Sequence, residues 1–183
     1  MADLFTVSRE WTAELEEKKS RFLATLIPYE SFDERLNQLR EEHRKANHHV
    51  TAFRNVLEDG RIVESGKDDG EPAGTSGMPT LKTMIGAKLV NCGVIITRYF
   101  GGTKLGTGGL ARAYSGAANL VISGAELHPW YPIITKTVTA SFAKSAELER
   151  KIAGLCLTVL DRNFTENGVT LTVEGPKATI QKL

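Results

Sequence analysis

TRYFGGTKLGTGGLARAY, residues 97–114, packs five of the chain's seventeen glycines into nine positions. Glycine inside an ordered element weakens it by roughly 0.5–1 kcal/mol relative to alanine. Such a concentration marks a place where the backbone turns through conformations open to glycine, or where something approaches it closely. On its N-terminal side, GVIITRYF (93–100) is the β-branched run of a buried strand. On its C-terminal side, Leu110, Ala113, Tyr114, Ala117 and Val121 recur at helical spacing up to about Gly124. The stretch is therefore a strand–glycine loop–helix junction. Such a junction offers the free N–H groups of a helix start to an anion. Arg98, Lys104 and Arg112 flank it, and Arg112, Ser115 and Asn119 share the polar face of the helix. The other reading is that the glycines only let strand and helix pack tightly, and on local signal both stay open.

Two familiar nucleotide loops are excluded. GTGGLA (106–111) matches G-x-G-x-x-A, but that fingerprint directly follows its strand, and here GGTKL intervenes. A P-loop places Gly-Lys-Ser/Thr at the helix start, whereas Lys104 precedes Gly106.

Working outward, WTAELEEKKSRFLATLIPYE reads as two strands around a polar turn. SFDERLNQLREEHRKA reads as a helix with a Ser31–Glu34 capping box and an inner stripe of Phe32, Leu36 and Leu39. HHVTAFRNVLEDGRIVES is a hairpin turning at Asp59-Gly60. PTLKTMIGAKLV is a helix with Pro79 in its first turn and Leu81, Met84, Ile85 and Leu89 inward. Between hairpin and helix lies GKDDGEPAGTSGMP, a fourteen-residue loop, and loops that long in a compact domain are usually functional or disordered. It holds Asp68, Asp69 and Glu71, which are candidate ligands for a hard cation or a candidate general base. As an isolated loop it is a solvated acidic segment. The two glycine-rich loops are expected to line one cleft. His48 and His49 are adjacent on a strand and point to opposite faces, so at most one meets that cleft. Each is a structural histidine or one that orients a carboxylate. No set of His and Cys has zinc spacing, and no nucleophile elbow is present.

ELHPWYP interrupts the pattern with two prolines and separates residues 1–128 from 129–183. Beyond it the order is strand, helix, strand, a turn at Asn167-Gly168, strand and a starting helix. That βαββα order is a ferredoxin-like plan without its last strand. The missing strand leaves a sheet edge open, to be covered by further chain or by a second copy. Net charge is +1. Residues 1–128 carry 16 Lys/Arg against 17 Asp/Glu, and 129–183 carry 7 against 5, so neither part is a broadly basic nucleic-acid module and any anion site is local. Cys92 and Cys156 are expected reduced and buried. No apolar run approaches the ~18 residues of a membrane helix. A cytoplasmic location and no membrane partner are expected.

DDGEPAGTSGMP followed by VIITRYFGGTKLGTGGLARAY resembles the signature of the IMPACT family, in its bacterial YigZ-like members. The resemblance covers about 20–125. Its motif positions fall on Asp68, Asp69, Gly70, Glu71, Pro72, Gly74 and Thr75, and on Arg98, Tyr99, Gly101, Gly102, Gly106, Gly108 and Gly109. It implies an α+β fold, with an N-terminal ribosomal protein S5 domain 2-like domain and a C-terminal ferredoxin-like domain similar to one in elongation factor G. It also points toward a translation-associated regulatory protein whose partner is RNA or a ribosome-associated component; separately, no cofactor and no metal are expected. Together these readings make Arg98, Tyr99, Gly101, Gly102, Lys104, Gly106, Gly108, Gly109 and Arg112 the expected anion-binding set. Asp68, Asp69, Glu71 and Thr75 are expected to line the same cleft, supported by His48 or His49. The alternative is a small enzyme acting on a phosphorylated ligand through the acidic loop.

Overall fold

The structure is a computed structural model and describes residues 3–183. The chain divides into two compact units, one up to Trp130 and one from Tyr131 to Leu183. The division falls two residues beyond the position suggested by the prolines.

In the first unit the elements run β1 (Leu4–Thr6), β2 (Trp11–Glu17), β3 (Ser20–Pro28), α1 (Phe32–Glu42), β4 (His48–Val56), β5 (Ile62–Lys67), α2 (Gly77–Gly86), β6 (Cys92–Tyr99), α3 (Gly106–Gly124) and β7 (His128–Trp130). Five strands form one sheet in the order β2-β3-β6-β4-β5, and every neighbouring pair is antiparallel. β6 thus enters between two local hairpins. Its alternation fills two cores. Cys92, Val94 and Ile96 join Phe22, Leu26 and Val50 beneath Leu81 and Met84 of α2 and Leu110 and Tyr114 of α3. Ile95 joins Ile27, Phe32 and Leu39 on the α1 face. Burial on both faces is why this strand reads as an unbroken apolar run. Each fully buried large side chain here contributes about 1.5–3 kcal/mol.

Several local expectations change. Ser31 sits at the α1 N-cap position but makes no side-chain capping bond, so the capping box does not form. Ile85 is 39% exposed while Leu81 and Met84 are buried. The buried positions of α2 are Gly77, Thr80, Leu81 and Met84, and Ile85 falls just outside that stripe. Cys92 is buried, and burial pushes its thiol up to about 12, but Cys156 is exposed. β1, which no periodicity marked, pairs with β7 and ties Phe5 to Lys88 and Val90 through backbone bonds.

The second unit runs β8 (Ile133–Ser141), α4 (Phe142–Gly154), β9 (Thr158–Thr165), β10 (Gly168–Pro176) and α5 (Lys177–Ile180), the βαββα succession read from the sequence. Its sheet has the order β8-β10-β9. Ile152, Leu157, Val169, Leu171, Val173 and Ile180 form its core. The even-numbered residues of β10 turn away from that core, where threonine hydroxyls pair across the strands, Thr137 with Thr172 and Thr139 with Thr170. β9 is exposed along its whole length.

Candidate functional site

At the end of β6 in the first unit, three strands present a row of side chains to the α2/α3 face. Arg98 lies two residues beyond Ile96 and so faces the same way, with His48 opposite it on β4 and Phe22 opposite it on β3. Arg98 is 5% exposed. Its Nη1 donates to Glu71 Oε1 at 2.5 Å, and its Nη2 reaches Ser20 Oγ at 3.4 Å. Tyr114 Oη donates to the same Glu71 oxygen at 2.7 Å. Burial, and then the bond to Glu71, drive the Tyr114 hydroxyl pKa upward, so it stays a donor. The Tyr114 ring meets Phe22 edge-on with centroids 5.1 Å apart. Arg98 Nε is buried and has no partner among the described residues. Arg98 belongs to the expected anion-binding set, but its guanidinium is already engaged by Glu71.

The three carboxylates of the acidic loop separate. Asp68 turns inward: Oδ1 accepts from the backbone N–H groups of Ser76 and Gly77 and from Ser76 Oγ, and Oδ2 accepts from Gly74 N–H. Burial opposes its ionisation, but these donors outweigh burial and hold its carboxyl below the usual range. Asp68 thereby fills the start of α2. Asp69 Oδ2 accepts the His49 N–H at 2.7 Å. Positive φ at Asp69 and Gly70, +49° and +87°, reverses the chain so that Glu71 reaches back over Arg98. Thr75 is buried and donates to the Pro72 carbonyl. Among the described residues no three His, Cys, Asp or Glu side chains are placed to hold a metal ion.

The two histidines part as adjacent strand residues must. His48 Nδ1 lies 2.8 Å from the Asp69 carbonyl, which can only accept, so the proton sits on Nδ1. Nε2 lies 3.6 Å from Glu71 Oε2. His49 is buried on the opposite face, against Thr97 Oγ1 at 3.1 Å. Burial holds His49 below the ordinary imidazole range, despite the nearby Asp69. The unfolded chain therefore binds more protons below about pH 6.5, and stability is lost as pH falls through the folded value. Denaturant unfolding at pH 7.5 and 5.5 should show this loss, and His49→Gln should flatten it. An unchanged slope in that variant would assign the loss to other groups.

The glycine loop closes the site. Gly101 lies against the β2–β3 turn: an added Cβ would stand 2.1 Å from the Lys19 carbonyl carbon. Gly102 has open space around it, and what calls for glycine there is its φ of +89°. The chain then enters α3, whose N-cap residue, Leu105, makes no side-chain capping bond. A cleft of about 440 Å³ opens here, lined by Asn47, His48, Glu71, Pro72, Arg98, Phe100, Lys104, Leu105, Gly106, Thr107 and Leu110. Both loops meet in it. Of the expected residues, Arg98, Lys104, Gly106, Glu71 and His48 line it. Tyr99, Gly101, Gly102, Gly108, Gly109, Asp68, Asp69, Thr75 and His49 do not, and Tyr99 Oη instead bonds His43 Nδ1 at 2.7 Å. Arg112 lies in a neighbouring groove with Leu15, Glu17, Lys18, Leu105 and Gly109. Phe100, Asn47 and Thr107 were missed. Phe100 alone carried a signal, an aromatic side chain set directly before two glycines.

The profile of the family described as Impact N-terminal domain matches residues 18–122. Among curated proteins, the IMPACT family member YigZ of Escherichia coli strain K12 is 30% identical over 166 residues, 89% of this chain and 81% of that one. The IMPACT family member YvyE of Bacillus subtilis is 36% identical over 113 residues, 60% of this chain, and the match spans only 51% of YvyE's length. A crystal structure of a hypothetical protein superposes over 100% of this chain and 89% of its own, with a TM-score of 0.67 and 28% identity. A structure described as the two-domain translational regulator Yih1 matches 66% of this chain and 47% of its own, at 28% identity and a TM-score of 0.37. No helix among the described residues is long and apolar enough to cross a membrane.

Proposed function

The chain belongs to the IMPACT family, and from that premise we infer that it is a translation-associated regulatory protein that binds RNA by its phosphates at the strand–glycine–helix junction. The family resemblance supplies the translational setting. The observation that carries the binding reading is a contrast between two helix starts. Asp68 occupies the N-terminus of α2 with the chain's own carboxylate. The N-terminus of α3 has no such occupant among the described residues and opens into the cleft beside Lys104. Uncapped N–H groups favour an anion by about 0.3–1 kcal/mol, more when partly buried. None of the ion pairs among the described residues engages Lys104. Glu71 also lines the cleft, but Arg98 neutralises it.

The test is titration with short RNA and with nucleotides at two salt concentrations. With a net charge of +1 the salt slope should be shallow, about two or three counterions released. Lys104→Ala should lower affinity and reduce that slope by about one counterion, with the thermal midpoint unchanged. Equal binding by wild type and Lys104→Ala, or no binding by either, sinks the reading.

A second reading, a small enzyme acting on a phosphorylated ligand, has one observation in its favour. His48 has its Nδ1 held by the Asp69 backbone carbonyl and its ring at the cleft, the orientation in which an imidazole exchanges a proton through Nε2. Turnover of a phosphorylated ligand lost in His48→Gln would select it. Binding without turnover keeps the regulatory reading.

A further inference from the structure

Resting on the RNA-binding reading above, we propose that the cleft takes one unpaired nucleotide of a single-stranded RNA, its base on the Phe100 ring and its phosphate at the start of α3. Four observations converge. Phe100 is 46% exposed at the cleft and is the aromatic side chain among its lining residues. Nucleobases stack on such rings whatever their sequence. Lys104, Gly106 and Thr107 line the same cleft, so an aromatic face and an anion locus share a volume of about 440 Å³, within the range of small-ligand pockets. Polar groups are also present for a base edge. Asn47 uses its Oδ1 to accept the Phe100 N–H at 2.8 Å, which leaves its amide N–H groups to donate, and the His48 ring lines the same cleft. Finally, Arg98 lines the cleft, is more than nine-tenths buried, and keeps its Nε–H without an acceptor among the described residues.

An RNA strand, rather than a free nucleotide, follows from the neighbouring groove. Leu105 borders both cavities, and beyond it lie Lys18 and Arg112. Neither takes part in an ion pair among the described residues. A strand leaving the cleft over Leu105 meets two cations where its next phosphate lies, with Glu17 at the groove's edge. Duplex RNA offers no unstacked base, so the site discriminates against it.

The experiment is fluorescence anisotropy on the full chain with a labelled single-stranded RNA hexamer, the same sequence as a duplex, and AMP as competitor. The expected result is hexamer binding at least about tenfold tighter than duplex binding. Phe100→Ala should weaken the hexamer about tenfold or more, and Phe100→Trp should restore it. Lys18→Ala should weaken the hexamer and leave AMP competition unchanged. Thermal melts establish that each variant is folded, and the Trp variant tests stacking even if the Ala variant is not. Unaltered affinity in Phe100→Ala, or equal binding of duplex and hexamer, overturns the stacked nucleotide, while a loss in Lys104→Ala leaves the anion site standing. AMP binding as tight as the hexamer, with Lys18→Ala silent, overturns the RNA strand in favour of a free nucleotide. No binding of any of these probes removes both this proposal and the reading beneath it.

Discussion

Glu71→Ala is expected to cost about 3–5 kcal/mol, the range for stranding one member of a buried ion pair. The side chains of Glu71 and Arg98 are 3% and 6% exposed, so each charge depends on the other more than on bulk water. The substitution deletes the acceptor of both Arg98 Nη1 and Tyr114 Oη. Arg98, short of a partner at Nε among the described residues, would keep its charge with no carboxylate beside it, next to the Tyr114 and Ser20 hydroxyls and the Phe22 and Phe100 rings. Against a total stability of about 5–15 kcal/mol, such a loss leaves a marginal fold. Urea unfolding measures it. Glu71→Gln keeps an acceptor without the charge and should fall between wild type and Glu71→Ala. The double replacement Glu71→Leu with Arg98→Met should recover much of the loss, because apolar substitutes for a buried pair are often neutral. A Glu71→Ala midpoint equal to that of wild type would mean that the pair contributes nothing to holding the loop.

Gly101→Val is expected to be the most damaging change in the glycine loop, at about 3 kcal/mol or more. The obstacle is backbone: the added Cβ would meet the Lys19 carbonyl carbon at 2.1 Å and the Ser20 nitrogen at 2.4 Å. A flexible side chain would swing aside, but this turn is fixed by the pairing of β2 with β3. Any retreat of the loop also breaks the bond from Gly101 N–H to Ser20 Oγ at 3.1 Å. Gly102→Ala meets no neighbour and carries only the left-handed strain, about 1–2 kcal/mol. The order of the two variants is the measurement. If Gly102→Ala unfolds at lower denaturant than Gly101→Val, contact with the β2–β3 turn is not what the first glycine is for.

The junction itself was legible because β6 is buried on both faces and α3 repeats its buried side chains every three or four residues. The hairpins and the βαββα order of the second unit were legible for similar local reasons. The partition of the acidic loop was not. Asp68, Asp69 and Glu71 look equivalent in sequence, and only the two positive φ angles between them send the first into a helix start and the third over Arg98. Arg112 was assigned by charge, yet residues 109, 112, 113 and 116 form a stripe of α3 distinct from 106, 107 and 110, and the groove follows that stripe. Ile85 was assigned inward by apolarity, although the buried positions of α2 already completed their spacing without it. The close approach at Gly101 depends on a turn eighty residues away in the chain, which no local pattern encodes.

The placement of β6 between the two hairpins also sets the order of assembly. β2 with β3, and β4 with β5, are neighbours in sequence and close short loops, events of about 1–10 μs for a hairpin. The strand that joins them is made only after both, and it pairs with β3 over a separation of roughly seventy residues. Its docking closes large loops, whose entropy must be met before the contacts form. The sheet therefore cannot be completed during synthesis until Tyr99 has emerged. The glycine loop and α3, following immediately, arrive just as the floor they cover comes into being.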